Sequence, residues 1–179
     1  EPMSWSNVFL QLVTVTGPVI GEGLLPLPFT GAIELLDFSW SMNVLKPPKA
    51  KGASLASLAS LITGGDAKNV RLGALEFTKR FDLASSGIMS ALDNHEKVIM
   101  ATITVLNILQ TNRMVHEPGF TLVCTDGYFS EVGVALQQSG NAGEVVEKVT
   151  LNFKSIVMTY LKRVGEDNMP TNPFVYKKA

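Results

Sequence analysis

Apolar and polar residues alternate with a period of two along most of this chain, which is the pattern of strands with one buried face. The stretch Leu75–Leu92, LEFTKRFDLASSGIMSAL, shows it best. Leu75, Phe77 and Phe81 fall on one face and Glu76, Thr78, Arg80 and Asp82 on the other, with Lys79 interrupting the apolar row. After Asp82 the period changes, and Ala84, Ile88, Ala91 and Leu92 recur at helical spacing. Ser85 is the expected N-cap, because its hydroxyl can accept from a free N–H of the first turn. The helix is then expected from about Ser86 to Asp93, ending near Asn94.

The same period places other strands. Val8–Val15 is short and β-branched, and Leu24–Phe29 is an extended edge or loop because Pro26 and Pro28 cannot donate to a ladder. Ile33–Val44 is expected as one strand, with Leu36, Phe38, Trp40 and Met42 on one face and Asp37, Ser39 and Ser41 on the wet one. Val98–Gln110 is a long strand and Thr111–Gly119 a loop. Phe120–Gln138 is strand-like throughout, although Asp126-Gly127 inside it signals either a hairpin or a bulge. Ser139–Gly143 is a turn, and Val145–Leu161 a further strand with a phase shift near Ser155. Gly165–Pro173 is loop-like, and Phe174-Val175-Tyr176 forms a short last strand.

One segment stands outside this order. Lys46–Asn69 starts with Pro47-Pro48 among lysines and closes on Gly64-Gly65, and between them Leu55, Leu58 and Leu61 repeat every third residue. A connection this long in a compact domain is usually functional or disordered, and a leucine stripe on it needs a surface to pack on. About seven or eight strands and one helix make an all-β barrel or sandwich with the helix on one side.

Composition changes the picture in one respect. Of 179 residues 46% are hydrophobic and only 17% charged, against roughly 25% in an average domain. So little charge fits a surface partly covered by copies of the chain. The net charge of −1 leaves no electrostatic footprint for nucleic acid or an acidic membrane. No apolar run reaches the roughly 18 residues of a membrane span, and no basic-then-apolar leader opens the chain.

Chemistry is sparse. Cys124 lies in an apolar run and reads as a buried structural thiol. His95 and His116 have no ligand partners at metal spacing, and His95 suits the end of the helix. Glu131, Glu144 and Glu147 cluster beside a turn, where solvation accounts for them. No cofactor motif and no catalytic constellation is present in the sequence, so an enzyme or small-ligand module is the distant reading.

Four motifs in order resemble the haemolysin-coregulated protein (Hcp) family, the tube proteins of bacterial type VI secretion. Phe77-Thr78-Lys79, Asp82 and Ser85-Ser86-Gly87-Ile88-Met89-Ser90-Ala91 are similar to the family's F-T-K…D…S-P-x-L-x-x-A run, with Ser86 in place of proline. Leu36–Met42 is similar to its aromatic-Ser-Trp strand, Val149–Phe153 to its V-x-L-N-F strand, and Gly17 with Gly21-Glu22 to its N-terminal turn. The resemblance runs from about Val8 to Tyr160. Its usual glycine-rich loop after the second strand is replaced here by the Pro-Pro and leucine segment, and its Gly-Trp ending by Phe174-Val175-Tyr176.

The resemblance implies a single domain over 1–179, an antiparallel β-barrel of two packed sheets, with 1–7 and 165–179 peripheral and 45–69 an extended interface loop. Asp126-Gly127 then becomes a bend in one strand. It implies a homo-hexameric ring, rings stacked into a hollow tube, a spike protein at the tip, a contractile sheath outside and effector proteins in the lumen. It implies no enzyme activity, no cofactor, no nucleic acid and no membrane insertion. The protein is expected in the bacterial cytoplasm and then outside, without a cleaved signal peptide. A phage tail-tube protein would share this fold. Under this reading Leu55, Leu58, Leu61, Glu76, Lys79, Arg80 and Asp82 are candidates for contacts between subunits or rings. Asp37, Ser39 and Ser41 are candidates for the lumen.

Overall fold

The computed structural model describes residues 7–24, 29–44, 70–110, 114–140, 142–164 and 167–177. The chain divides into two compact units, Glu1–Ser39 with Ala74–Ala179, and Trp40–Gly73. The strands run β1 (Val8–Thr14), β2 (Gly17–Val19), β3 (Ile33–Ser39), β4 (Met42–Val44), β5 (Val70–Leu72) and β6 (Leu75–Arg80). Helix α1 (Leu83–Asp93) follows, then β7 (Val98–Gln110), β8 (Met114–Ser139) and β9 (Ala142–Asn152). The last three strands are β10 (Ser155–Val164), β11 (Asp167–Pro170) and β12 (Phe174–Lys177). β4 and β5 form the two-stranded antiparallel sheet of the smaller unit, with Met42 opposite Leu72.

In the larger unit six strands close on themselves by antiparallel pairing, in the order β1–β3–β6–β9–β8–β7 and back to β1. Closure removes the open edges that a flat sheet would present. β2 pairs on β1, and β10 continues the sheet from β8 and carries β11 and β12. The interior is apolar: Phe9, Leu10 and Leu12 of β1, Ile33 and Leu35 of β3, Leu75 and Phe77 of β6, Ile103 of β7, Leu122 of β8, and Val149 and Leu151 of β9 are all buried. Burying each such side chain stabilises the fold by about 1.5–3 kcal/mol relative to exposure.

The 26-residue β8 spans both halves of the sheet. It pairs with β10 from Tyr160↔Phe120 to Ser155↔Thr125, and with β9 from Tyr128↔Asn152 to Ser139↔Ala142. The switch falls on Asp126-Gly127, which is therefore a bend within one strand and not a hairpin. Asp126 is left-handed at φ 61, a conformation Asp tolerates better than most residues, and a Cβ on Gly127 would run into the Asn152 carbonyl. The Asp126 carboxylate pairs with Lys97 and, at 3.4 Å, with Lys154. The hydrogen bond from Lys97 is the main cause holding its carboxyl below the usual carboxylate range.

Helix α1 starts earlier than Ser86. Asp82 is its N-cap, accepting from Ala84 N–H at 2.9 Å, while Ser85 Oγ accepts from Asp82 N–H at 2.9 Å to complete a capping box. Ser85 is thus the third helical residue, and the carboxylate outcompetes it because it stands where the strand ends. At the other end His95 N–H donates to Leu92 C=O and Glu96 N–H to Ala91 C=O, with His95 left-handed at φ 50. The helix buries Ala84, Ser85, Ile88 and Ala91 and packs on β2 and β8.

Other expectations change for local reasons. The strand expected over Ile33–Val44 is two, because β3 ends at Ser39 and β4 belongs to the smaller unit. Inside β3 the register shifts between Leu35 and Asp37. The extra residue reverses the parity, so Leu36 is exposed whereas Phe38 stands opposite Phe77 and stacks on Phe120 at 6.2 Å. Pairing of β7 with β8 continues out to Gln110↔Met114, so most of the expected loop 111–119 is strand. The strand expected over Val145–Leu161 is β9 and β10, and the phase shift near Ser155 is the trace of the break at Phe153-Lys154. Residues 167–170, expected in a loop, pair antiparallel with β10.

Candidate assembly surface

β6 sorts the candidate charges by parity. Its inward row is Leu75, Phe77 and Lys79, all buried, and its other row is Glu76, Thr78 and Arg80. Lys79 is 0% exposed, and its ammonium lies 2.6 Å from Glu147 Oε2 and 2.7 Å from Asp82 Oδ1. It also donates to Ser85 Oγ at 3.0 Å and to the Arg80 carbonyl at 2.8 Å. Ser85 Oγ donates in turn to Glu147 Oε2 at 2.6 Å. One buried cluster therefore ties the end of β6, the first turn of α1 and the middle of β9. A buried charge is tolerable only when paired and hydrogen-bonded in this way.

Lys79 and Asp82 thus spend their charge inside this chain. Arg80 forms an exposed ion pair with Glu144, and Glu76 lies 3.5 Å from Lys148 in another. Exposed pairs of this kind contribute about 0–1 kcal/mol, so both can be exchanged for partners on another chain at little cost. Glu76, Thr78 and Lys148 line a shallow depression of about 310 Å³ together with Asp37 and Ser39. The structure therefore brings two of the lumen candidates, Asp37 and Ser39, onto one surface with Glu76. Ser41 belongs to the smaller unit, where it is exposed and its carbonyl accepts from Gly73 N–H at 2.8 Å. Leu55, Leu58 and Leu61 lie outside the described residues.

Glu147 corrects the sequence reading, which treated it as a solvated carboxylate beside a turn. It is 0% exposed, and its Oε1 is buried without a hydrogen-bond partner among the described residues. The signal was available in the parity of β9, where Glu147 shares a row with Val149 and Leu151. Cys124 is buried, and burial pushes its thiol up to about 12, which leaves no thiolate at neutral pH. Among the described residues no three His, Cys, Asp or Glu side chains come together as a metal site.

The structure is similar to several solved ones. Hcp1 from the Escherichia coli EAEC 042 pathovar, solved as a mutant, shares 16% identity at a TM-score of 0.69, covering 93% of this chain and 98% of that one. A type six secretion system protein shares 15% identity at a TM-score of 0.72, covering 97% and 96%. The secreted protein Hcp3 from Pseudomonas aeruginosa shares 13% at a TM-score of 0.64, covering 96% and 97%. At such identities the likeness establishes the fold. No curated protein sequence matches the chain significantly. The family model for "Type VI secretion system effector, Hcp" matches residues 9–160, from β1 through the closed barrel into β10. On that match over most of its length, this chain belongs to the Hcp family of type VI secretion system proteins.

Proposed function

We propose that the chain is a structural subunit of the type VI inner tube, in which six copies close into a ring and rings stack into a hollow tube that carries or delivers effectors. The family match over residues 9–160 carries this reading, since it covers the whole closed barrel. The low charge supports it, because a surface with few charged residues loses little solvation when copies cover it. Partners are then the chain itself, a spike protein at the tube tip, a contractile sheath around it and effectors within. The subunit is made in the bacterial cytoplasm and leaves through the apparatus. Its role is structural and not catalytic, and it does not insert into a membrane. No helix among the described residues is long and apolar enough to cross one.

In this reading Asp37, Ser39 and Ser41 face the lumen and Leu55, Leu58 and Leu61 contact the next ring. Glu76, on one surface with Asp37 and Ser39, stands where the lumen meets a neighbouring subunit, Arg80 faces that subunit, and Lys79 and Asp82 hold the frame beneath them. Size-exclusion chromatography with light scattering tests the assembly. The expected result is a species of six times the mass of one chain. A single-chain mass at every concentration up to the millimolar range overturns the reading.

A further inference from the structure

Between α1 and the β1–β2 hairpin lies an open cleft of about 420 Å³, within the size range of small-ligand sites. One wall is Leu83, Ser86, Gly87 and Ser90, successive turns of one helix face. From Leu83 to Ser90 the cleft therefore follows α1 for roughly 10 Å at a rise of about 1.5 Å per residue. The facing wall is residues 16–20. Thr16 bonds to Glu96 just beyond the end of the helix, and Val19 stands against Gly87 further back. A Cβ on Gly87 would lie 3.1 Å from Val19 Cγ1, so a side chain there would crowd the cleft at its middle. Ile20 and Leu83 follow toward the start of the helix, 57% and 68% exposed, as aliphatic walls with nothing of the described chain over them.

The other end of the cleft is a prepared negative charge. Glu96 Oε1 accepts from Thr16 N–H at 3.1 Å and from the Thr16 hydroxyl, and Glu96 N–H is fixed on the Ala91 carbonyl at 2.8 Å. Hydrogen bonding from Thr14 and Thr16 holds the Glu96 carboxyl below the usual carboxylate range, so it is ionised at neutral pH. The helix C-terminus beside it adds partial negative charge and favours a cation. Yet the last turn of α1 carries no basic residue, and the adjacent Lys97 is engaged by Asp126. Among the described residues no ammonium or guanidinium pairs with Glu96.

We propose that this cleft binds a small aliphatic diamine, with one ammonium on the Glu96 carboxylate and the alkyl chain laid along the helix between Ile20 and Leu83. A charge-assisted bond fixes one end, and apolar cover of the chain supplies the rest. The serines answer the second amino group. Ser86 Oγ donates to the Leu83 carbonyl at 3.5 Å, which leaves its lone pairs to accept from the ligand. Ser90 Oγ already accepts from Asn94 Nδ2 at 3.2 Å and keeps a second lone pair. The inference does not rest on the tube reading, because every residue of the site is on one chain.

The test is calorimetric titration of the full chain with 1,5-diaminopentane at fixed ionic strength, beside 1,5-pentanediol, which has the same length and no charge. Saturable binding of the diamine is expected with a Kd of about 1 mM or tighter, and no saturation up to about 10 mM overturns the proposal. Pentanediol binding as tightly as the diamine also overturns it, because the carboxylate is then not the anchor. Glu96→Gln keeps an acceptor for Thr16 and removes the charge, and is expected to weaken the diamine about fivefold or more. Glu131→Gln, at an exposed carboxylate outside the cleft, is expected to bind like wild type. A Glu96→Gln protein within about twofold of wild type, or equal losses in both Gln variants, overturns the site. Should Glu96→Gln not fold, Ser90→Leu decides: it changes an exposed helical position and fills the cleft. Diamine binding is expected to be lost in it with circular dichroism unchanged, and full binding overturns the proposal. Nα-acetyl-lysine amide binding as tightly as the diamine overturns the free amine as occupant, in favour of a lysine side chain.

Discussion

Lys79 shows how one side chain can hold three elements. It stands on the inward row of β6, where an unpaired ammonium would be intolerable, and it is stabilised by the Glu147 carboxylate from β9 and by Asp82 and Ser85 at the start of α1. Removing one partner of such a pair costs about 3–5 kcal/mol, because the other charge is left buried and uncompensated. Lys79→Met is therefore expected to lower the unfolding free energy by about that amount in urea titrations followed by tryptophan fluorescence. The companion variant K79M/E147L removes both charges and is expected to recover most of the loss. If Lys79→Met costs under about 1 kcal/mol, the cluster is not what fixes the helix to the barrel. Glu147 has an orphan oxygen as well, so it is the member with less to lose when the pair is replaced by apolar groups.

At the scale of elements the bend in β8 is the decisive feature, since it lets one strand serve two partners. Asp126 adopts the left-handed conformation there and is clamped by Lys97 and Lys154. Its folded pKa is lowered by those cations, so its stabilising contribution is complete above the unfolded value of about 4 and is lost as pH falls through the lower folded value. Asn tolerates the same backbone, so Asp126→Asn removes the charge and keeps the bend. Wild type is expected to melt above Asp126→Asn at pH 7, with the difference shrinking toward pH 3. A difference that stays constant over that range would show that charge is not the clamp. Much of this architecture was legible in the sequence: period two marked β1, β6 and β7, and the change to helical spacing after Asp82 marked α1. The unread parts depend on partners distant in sequence. The bulge at Leu36 exists only against β6, and it inverted the faces of β3. Asp126-Gly127 is locally ambiguous, and only the pairing of Tyr128 with Asn152 makes it a bend. Glu147 looked solvated because the turn at Gly140 is near in sequence, whereas Lys79, 68 residues away, decides its environment. The stripe of Leu55, Leu58 and Leu61 stays a sequence expectation.

For the whole molecule, the tube reading separates folding from assembly, because the closed barrel satisfies its own ladders without a neighbour. What remains for a neighbour is side-chain surface, and the composition says what kind. With 17% charged residues and a net charge of −1, attraction between copies has few long-range charges to draw on. The exposed pairs Arg80–Glu144 and Glu76–Lys148 are the sort that salt screens, with a Debye length of about 10 Å at 0.1 M and 3 Å at 1 M. Apolar contacts do not weaken with salt, and excluded salts such as sulfate strengthen them. Raising sodium sulfate from about 0.1 to about 1 M is therefore expected to leave the ring mass unchanged, or to shift the ring–monomer balance toward the ring, as read by sedimentation velocity. Dissociation into monomers over that range would assign assembly to the charges of β6 and not to apolar surface. Barrel stability provides the internal control: it depends on the buried cluster at Lys79, which salt scarcely reaches, so the monomer's melting temperature should follow the general sulfate effect whichever result the ring gives.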